Sequence, residues 1–433
     1  MPKRSKMRSR RGTSNTALKG EAVEFEIHDM AHGGYGLGHY RGAPVFVPYT
    51  LPGEAISAQI TGARGRALFG RGLRLQAASS DRVEPRCPHF GPGRCWGCHW
   101  QHIDYAAQLL LKQDVLADQL SRIGALPDSV IEEAVRPLAP APASWGYDHR
   151  LQLLRAKSGD WGLRRQDRGI EAIGECYLAH PDLIDLLHDL DLEYERAARM
   201  TLWRGSDGRL MAVFEIDGEE APALATDRPL SVNLILPDRQ PINLVGDAHK
   251  IFEIAGRTFR VTAGAYMRGN IGALAGLVAS VVEAARMQGG ERLLDLYAGV
   301  GVFSAFLADA ADLITLVESY PPAANDADVN LSEFDNIDVV EGAVETVLAD
   351  MVEDDARYDV ALVDPPAAGL SEEVVRLLSL VTARRIVYVS SDPASLARDS
   401  RRLMDAGFQL REIQPLDLAP QTYYISAVAR FER

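Results

Sequence analysis

The stretch ERLLDLYAGVGVFSAFLADA, residues 291–310, constrains this chain more than any other part of it. Leu293–Tyr297 is an apolar run of the kind that forms a strand buried on both faces. Ala298–Gly301 is a tight turn, and Phe303–Leu307 opens a helix. Such a strand–turn–helix unit belongs to an open parallel sheet, where ligands bind outside the carboxyl ends of the strands. Gly299 and Gly301 let a ligand come close to the backbone there. The third glycine of the dinucleotide fingerprint is missing, because Ser304 stands at its position, and a turn without it is less suited to a pyrophosphate. The next apolar run, LITLVES, ends in Glu318, nineteen positions after Gly299, where a carboxylate accepts hydrogen bonds from both hydroxyls of a ribose. Together these features favour S-adenosylmethionine over NAD.

Alternating helices and continuous apolar strands run from about Phe252 to the C-terminus, the pattern of a parallel α/β domain. RYDVALVDPPAAGL is a strand ending in Asp364-Pro365-Pro366, and the two prolines fix a rigid turn after the acid. In RRIVYVSSDPASLARDS a strand is followed by Asp392 as N-cap, Pro393 at the first helical position and a helix. QTYYISAVARFER reads as a closing strand.

The front of the chain is different. The overall formal charge is −14, yet residues 1–20 carry seven Lys/Arg and no acid; through residue 180 the balance is +6, which leaves −20 for the remainder. A basic front on an acidic back indicates separate tasks. Residues 1–19 are basic and aperiodic, and are read as a disordered tail. Residues 20–79 are short alternating runs broken by glycine, the pattern of a small OB-like β-barrel. Lys19, Arg64, Arg66, Arg71 and Arg74 make this segment basic, while Tyr35, Tyr40 and Phe46 offer ring faces either to nucleic-acid bases or to the barrel's own core. Residues 80–250 form a mixed α+β central domain with a helix over 105–124, strands at HRLQLLRA, WGLRR, LMAVFEI and SVNLILP, and a helix over HPDLIDLLHDLDLEYERAARM. Residues 251–433 are the cofactor-binding domain. With 433 residues the chain is long enough for several domains, and no run of eighteen apolar residues or secretory signal appears in it. The expectation is a monomeric cytoplasmic protein with no membrane partner.

There are four cysteines. Cys87, Cys95 and Cys98 lie in CPHFGPGRCWGCHWQH, and Cys176 lies far downstream in IGECYLAHP. Thiolates two residues apart on a glycine-bearing turn can reach one metal centre, and a distant fourth can close it. The ligand set suits either zinc or a [4Fe–4S] cluster. Three clustered ligands with one remote are more typical of iron–sulfur ligation than of paired zinc knuckles.

In this order, the barrel, the CPHF…CWGCHWQHIDYAAQLLLK cluster and helix, the remote Cys176, DLYAGVGVFS, VES, VDPPAAG and VYVSSDPASLARD resemble the RNA uracil-5-methyltransferase family across nearly the whole chain. The resemblance implies a multidomain α/β protein: a Rossmann-like class I methyltransferase domain, an N-terminal TRAM-type barrel and a mixed central domain. It implies S-adenosylmethionine and a [4Fe–4S] cluster on Cys87, Cys95, Cys98 and Cys176 as cofactors, with the first cysteine loop two residues longer than usual. It implies contacts to S-adenosylmethionine from Tyr297, Glu318 and Asp364, and from Arg268 of YMRGN, which stands where the family has glutamine. It implies RNA as substrate, ribosomal RNA ahead of transfer RNA, with the target base flipped out of its stack into the cofactor pocket.

The family's catalytic positions are changed. C5 of uracil is a poor nucleophile, and the family adds a cysteine thiolate to C6 so that C5 can attack the methyl group, after which a base removes the C5 proton. The nucleophile position here is Ser391, in Ser390-Ser391-Asp392-Pro393, and the base position is Ser426. The sequence therefore supports two readings. One is an S-adenosylmethionine-dependent RNA methyltransferase, acting through Ser391 or on an atom that needs no covalent help. The other is a protein that keeps its RNA and cofactor sites without catalysing.

Overall fold

The computed structural model describes residues 18–190, 196–218 and 229–433. The chain divides into two compact units, one running to Val83 and one spanning Glu84–Arg433. The expected basic tail lies outside the described residues except for its last two positions.

The first unit is a closed barrel of β1 (Ala22–Ala31), β2 (Tyr35–Tyr40), β3 (Ala43–Pro48), β4 (Ala55–Arg64) and β5 (Ala67–Ala77), in the order β1-β2-β3-β5-β4 with β4 paired back to β1. Alternation along the strands turns Val23, Ile27, Val45, Val47, Ile56, Ala58, Ile60 and Leu68 into a shared core. β2 crosses β1 closely because it is built on YGLGHY: a side chain at Gly38 would run into Phe25. Phe46 stacks on Phe69 with ring centroids 5.5 Å apart, and the Tyr40 hydroxyl donates to Glu21 at 3.1 Å, so these two aromatics have partners inside the barrel.

The second unit opens with the cysteine segment, followed by α1 (Tyr105–Arg122) and α2 (Asp128–Ala134). Asp104 caps α1 by accepting the Ala106 N–H. A seven-stranded sheet follows, built of β6 (Arg150–Arg155), β7 (Trp161–Arg164), β8 (Ile170–Ala172), β9 (Ala197–Arg204), β10 (Leu210–Ile216), β11 (Leu230–Ile235) and β12 (Pro241–Val245), with α3 (Pro181–Asp189) inserted after β8. Its order is β12-β11-β10-β9-β6-β7-β8. The single helix expected over residues 180–200 is corrected here. The helix ends at Asp189, residues 191–195 lie outside the described part, and Ala197–Arg204 is β9, paired antiparallel with both β6 and β10. Ala197, Met200, Leu202 and Trp203 bury their side chains in the sheet's cores, and that burial outweighs the helical propensity of ERAARM.

A hairpin of β13 (His249–Ile254) and β14 (Arg257–Thr262) leads into the last sheet. There α4 (Ile271–Ala285), β15 (Glu291–Leu296), α5 (Val302–Leu307), β16 (Ala311–Glu318), α6 (Pro321–Asn330), β17 (Ile337–Glu341), α7 (Val344–Glu353), β18 (Tyr358–Val363), α8 (Glu372–Val381), β19 (Thr382–Ser390), α9 (Pro393–Asp405), β20 (Gln409–Leu416) and β21 (Ser426–Glu432) follow in turn. The strand order is β17-β16-β15-β18-β19-β21-β20, parallel from β17 to β19, with β21 inserted antiparallel between β19 and β20. Reversal of strand order beside β15 makes a switch point at its carboxyl end. Asp392 caps α9 through the Ala394 and Ser395 N–H groups, with Pro393 opening the helix. Among the described residues no helix is long and apolar enough to cross a membrane.

α1 is joined to the β20–β21 loop by a buried ion pair: the Lys112 Nζ donates to Asp417 Oδ1 at 2.7 Å, and neither side chain reaches solvent. Burial pulls the lysine below its ordinary range, while Asp417 pulls it back up. Lys112→Met is expected to cost about 3–5 kcal/mol in urea unfolding, because it strands a buried carboxylate, and Lys112→Met with Asp417→Leu is expected to recover most of that loss.

Candidate active site

At the carboxyl edge of the last sheet lies a cavity of about 490 Å³, within the size range of ligand sites. Each wall follows from a strand end. The turn after β15 contributes Tyr297, Ala298, Gly299 and Val300; β16 ends in Glu318; β18 runs into Asp364-Pro365-Pro366; and Ser391 follows β19. The segment between β14 and α4 supplies Tyr266, Met267 and Arg268. The fold thus brings Arg268, Tyr297, Gly299, Glu318, Asp364 and Ser391 around one space.

The turn is tightly shaped. Tyr297 (φ 60°) and Gly299 (φ 58°) are left-handed. A Cβ at Gly299 would meet nothing within 4 Å, so that face of the backbone is open to the cavity. Gly301 plays another part: it is not among the cavity-lining residues, and a Cβ there would stand 2.7 Å from Leu331 Cδ1, just beyond α6. The left-handed backbone at 301 (φ 82°) is what favours glycine there, and the packing against Leu331 adds to it.

Three carboxylates stand near this edge, each handled differently. Glu318 accepts the Gly299 N–H through Oε2 at 2.9 Å and the Tyr320 N–H through Oε1 at 2.7 Å, which holds its carboxylate in one orientation and still leaves lone pairs for hydroxyl donors. Asp364 is gripped by the Arg268 guanidinium in a bidentate pair, with NH1 and NH2 at 2.8 and 2.7 Å from the two oxygens. Asp295, inside β15, is fully buried; it accepts the Ser304 hydroxyl at 2.7 Å, and its Oδ1 has no partner. Burial pushes it up to about 7, with the charges of Asp364 and Glu318 adding to the rise. Reading strand and turn alone missed Asp295, Tyr266 and Ser319. The signal for Asp295 was a carboxylate inside an otherwise apolar strand.

Ser391 lines the cavity, and among the described residues no cysteine or histidine does. Ser426 opens β21, opposite Leu416 of β20, and is not among the residues lining the cavity.

The four cysteines lie in the cysteine segment and the loop before α3, and all are free thiols. Cys95 and Cys98 are buried, Cys98 and Cys176 share a small core with Tyr147 and Leu178, and charge on any of Cys87, Cys95 or Cys176 disfavours charge on Cys98. Burial pushes Cys95 up to about 12 and raises the other three. Backbone amides point at the sulfurs, from Gly97 to Cys95 at 3.3 Å and from Leu178 and Ala179 to Cys176. Among the described residues no group of three or more His, Cys, Asp or Glu is arranged to hold a metal ion.

Residues 215–428 match the family model for tRNA (uracil-5-)-methyltransferase. A protein of Streptomyces avermitilis described as an uncharacterized RNA methyltransferase is 34% identical over 428 residues, covering 95% of this chain and 98% of its own. A similarly described protein of Halalkalibacterium halodurans is 31% identical over 454 residues, covering 96% and 97%. The crystal structure of the Pyrococcus abyssi tRNA (uracil-54, C5)-methyltransferase in complex with S-adenosyl-L-homocysteine aligns with a TM-score of 0.69 at 22% identity, over 94% of this chain and 100% of that one, and so shares the fold. Together with these relatives, the sheet order and the strand-end cavity put the chain in the S-adenosylmethionine-dependent class of methyltransferases. The chain belongs to the tRNA (uracil-5-)-methyltransferase family and is an S-adenosylmethionine-dependent RNA methyltransferase.

Glu318→Ala removes charge-assisted acceptors worth about 1.5–3 kcal/mol and is expected to weaken S-adenosylmethionine binding, measured by calorimetry, by roughly ten-fold or more. Asp295 predicts a pH signature. Its folded pKa, about 7, lies above its unfolded value, so the folded state holds the extra proton and stability falls as pH rises between the two. Asp295→Asn removes that titration, and its denaturation midpoint relative to the native chain is expected to be higher at pH 8 than at pH 4.

Proposed function

We propose that this enzyme methylates an RNA base at an atom that carries its own nucleophilic lone pair, with no covalent bond between protein and base. The observation that carries the reading is the composition of the cavity: the residue following β19 is Ser391, and no thiol or imidazole accompanies it. A serine hydroxyl without a base has almost no alkoxide at neutral pH, so addition to C6 of a pyrimidine has no driving group. Asp364 is a poor candidate to replace the family's proton acceptor, because Arg268 occupies both of its oxygens. A ring nitrogen with a free in-plane lone pair needs only orientation against the sulfonium methyl group, its new N–C bond forming as the S–C bond breaks, whereas an exocyclic amine also gives up a proton, for which water is the acceptor.

In this reading Tyr297, Gly299, Glu318, Asp364 and Arg268 face the cofactor, with Glu318 taking the ribose hydroxyls. Gly301 shapes the turn from behind, while Ser391 and Ser426 keep the family's positions without its chemistry. The barrel serves as a TRAM-type module gripping RNA, and the target base leaves its stack to reach the cavity. The enzyme works as a monomer in the cytoplasm, on ribosomal RNA in preference to transfer RNA. The four cysteines are proposed to hold a [4Fe–4S] cluster, which would cross-link the segment bearing Cys87, Cys95 and Cys98 to the loop of Cys176. Support comes from their mutual proximity, their burial and the amides aimed at sulfur; a cluster is larger than one ion and needs its thiolates further apart than zinc does. Anaerobically purified protein is then brown, and a colourless zinc protein would overturn this part.

The decisive experiment incubates the enzyme with isotopically labelled S-adenosylmethionine and, separately, ribosomal and transfer RNA, followed by nucleoside mass spectrometry. The expected product is a methylated nucleoside other than 5-methyluridine. Uridine fluorinated at C5 traps covalent intermediates, so RNA carrying it is expected to form no adduct with the native chain and to form one with Ser391→Cys. Labelled 5-methyluridine, or an adduct with the native protein, overturns the proposal, and a complete lack of transfer favours the non-catalytic reading.

A further inference from the structure

We infer that Trp96, His99, Tyr423 and Tyr424 form a platform on which an unpaired base of the RNA substrate stacks, close to the mouth of the cofactor cavity. The inference rests on the RNA methyltransferase assignment and adds a contact that neither the cavity nor the barrel supplies. The four rings form a continuous chain. Trp96 and His99 meet edge to face at 4.7 Å, while His99 and Tyr423 at 4.4 Å and Tyr423 and Tyr424 at 4.5 Å are tilted pairs. The His99 ring is buried, and its two nitrogens have no hydrogen-bond partner among the described residues. It is packed against the rings of Trp96 and Tyr423 on either side. At the far end Tyr424 is 49% exposed, a large ring left in water at the end of a packed stack. Aromatic faces of this kind stack on bases of any sequence.

Its place in the fold ties the platform to the reaction. Ala427 of β21 pairs with Ser390, the last residue of β19, and Ser391 next to it lines the cavity. Tyr424 lies three residues before Ala427, on the strand approach that runs beside that turn. The surroundings suit a phosphate backbone. The Trp96 N–H donates to the Arg164 carbonyl at 2.9 Å, and Arg94, Arg164 and Arg168 are exposed nearby in sequence or pairing. Of the acids on the same hairpin, Asp167 is taken by Arg165 at 2.8 Å and Glu171 faces His89 at 3.5 Å. An exposed ring with exposed arginines on the adjoining segments favours nucleic acid over an apolar protein partner.

The test uses the full chain with a fluorescein-labelled oligouridylate and an abasic oligomer of the same length, read by anisotropy. Tyr424→Ala is expected to bind oligouridylate about ten-fold more weakly and the abasic oligomer unchanged, Tyr424→Phe to bind both as the native chain does, and Arg164→Ala to weaken both together. Calorimetric S-adenosylmethionine binding by Tyr424→Ala checks its fold. Should that variant misfold, the native chain decides: oligouridylate is expected to quench an emission component that disappears in Trp96→Phe, and the abasic oligomer to leave it unchanged. Equal losses for both oligomers in Tyr424→Ala, unchanged oligouridylate binding in it, or absence of the quenching overturns the platform. No binding of any RNA by the native chain would instead overturn the assignment on which it rests.

Discussion

Lys112 and Asp417 hold the second unit in register. An ammonium and a carboxylate fully removed from water are tolerable only while they remain in contact, because either one alone carries its desolvation penalty unrelieved. The pair therefore fixes where α1 lies against the β20–β21 loop, and other polar bonds cluster around it. The Gln108 amide reaches the carbonyls of Trp100 and Ile103 and the side chain of Gln421. The Gln421 carbonyl accepts the His99 and Trp100 N–H groups, the Tyr147 hydroxyl donates to Pro420, and Asn270 donates to Leu418. The cysteine segment, the approach to the central sheet and the start of α4 thus all attach to one loop. A purely apolar contact could be as stable, but it would not choose one alignment among these pieces.

Electrostatics at the sheet edge follow from the same economy of charge. The cofactor is a sulfonium cation with a ribose, and three acids lie at or beside the cavity proposed to hold it. Of these three, only Glu318 is both pinned by amides and, among the described residues, left without a cationic partner. Asp364 is neutralised by Arg268, and Asp295 is neutral over much of the acidic range because it is buried. In the proposed site Glu318 is spoken for by the ribose hydroxyls, and the other two acids are paired or protonated, which leaves no carboxylate to remove a proton from carbon. The Arg268–Asp364 pair therefore bears on chemistry as much as on binding, since it occupies the acid best placed to serve as a base.

Much of this was legible in the sequence because strand, turn and acid are spaced by backbone geometry. β15 and its turn, Glu318 at the end of β16 and Asp364 at the end of β18 all lie where period and spacing put them. Helix α9 was readable from Asp392 and Pro393, since a cap is a local event. Pairings across long separations were not readable. Nothing in YMRGN says that its arginine will grip an acid 96 residues away, and nothing in LLLKQD says that the lysine is buried against residue 417. The error at residues 180–200 has the same origin. ERAARM carries helix-forming residues and ends beside a strand pattern, and only the neighbours β6 and β10 decide between the two. Gly301 was read as making room for a ligand, and its nearest obstacle is Leu331, which no local pattern places there.

On the proposed reading, a hydroxyl in place of the family's thiol narrows the targets of the methyltransferase more than it lowers its power. Covalent activation is needed when the accepting atom is an electron-poor carbon. For an accepting lone pair, the work left is to hold two reactants in line and exclude water, and such positioning alone can supply on the order of 7–11 kcal/mol of the barrier. The features that position reactants are present here: a turn open at Gly299, a fixed carboxylate at Glu318 and a proline-stiffened wall at Pro365 and Pro366. None of them depends on the side chain at 391. The scaffold can therefore keep its power to transfer a methyl group while the identity of the accepting atom changes, and the cavity's own side chains decide which atoms remain within its reach.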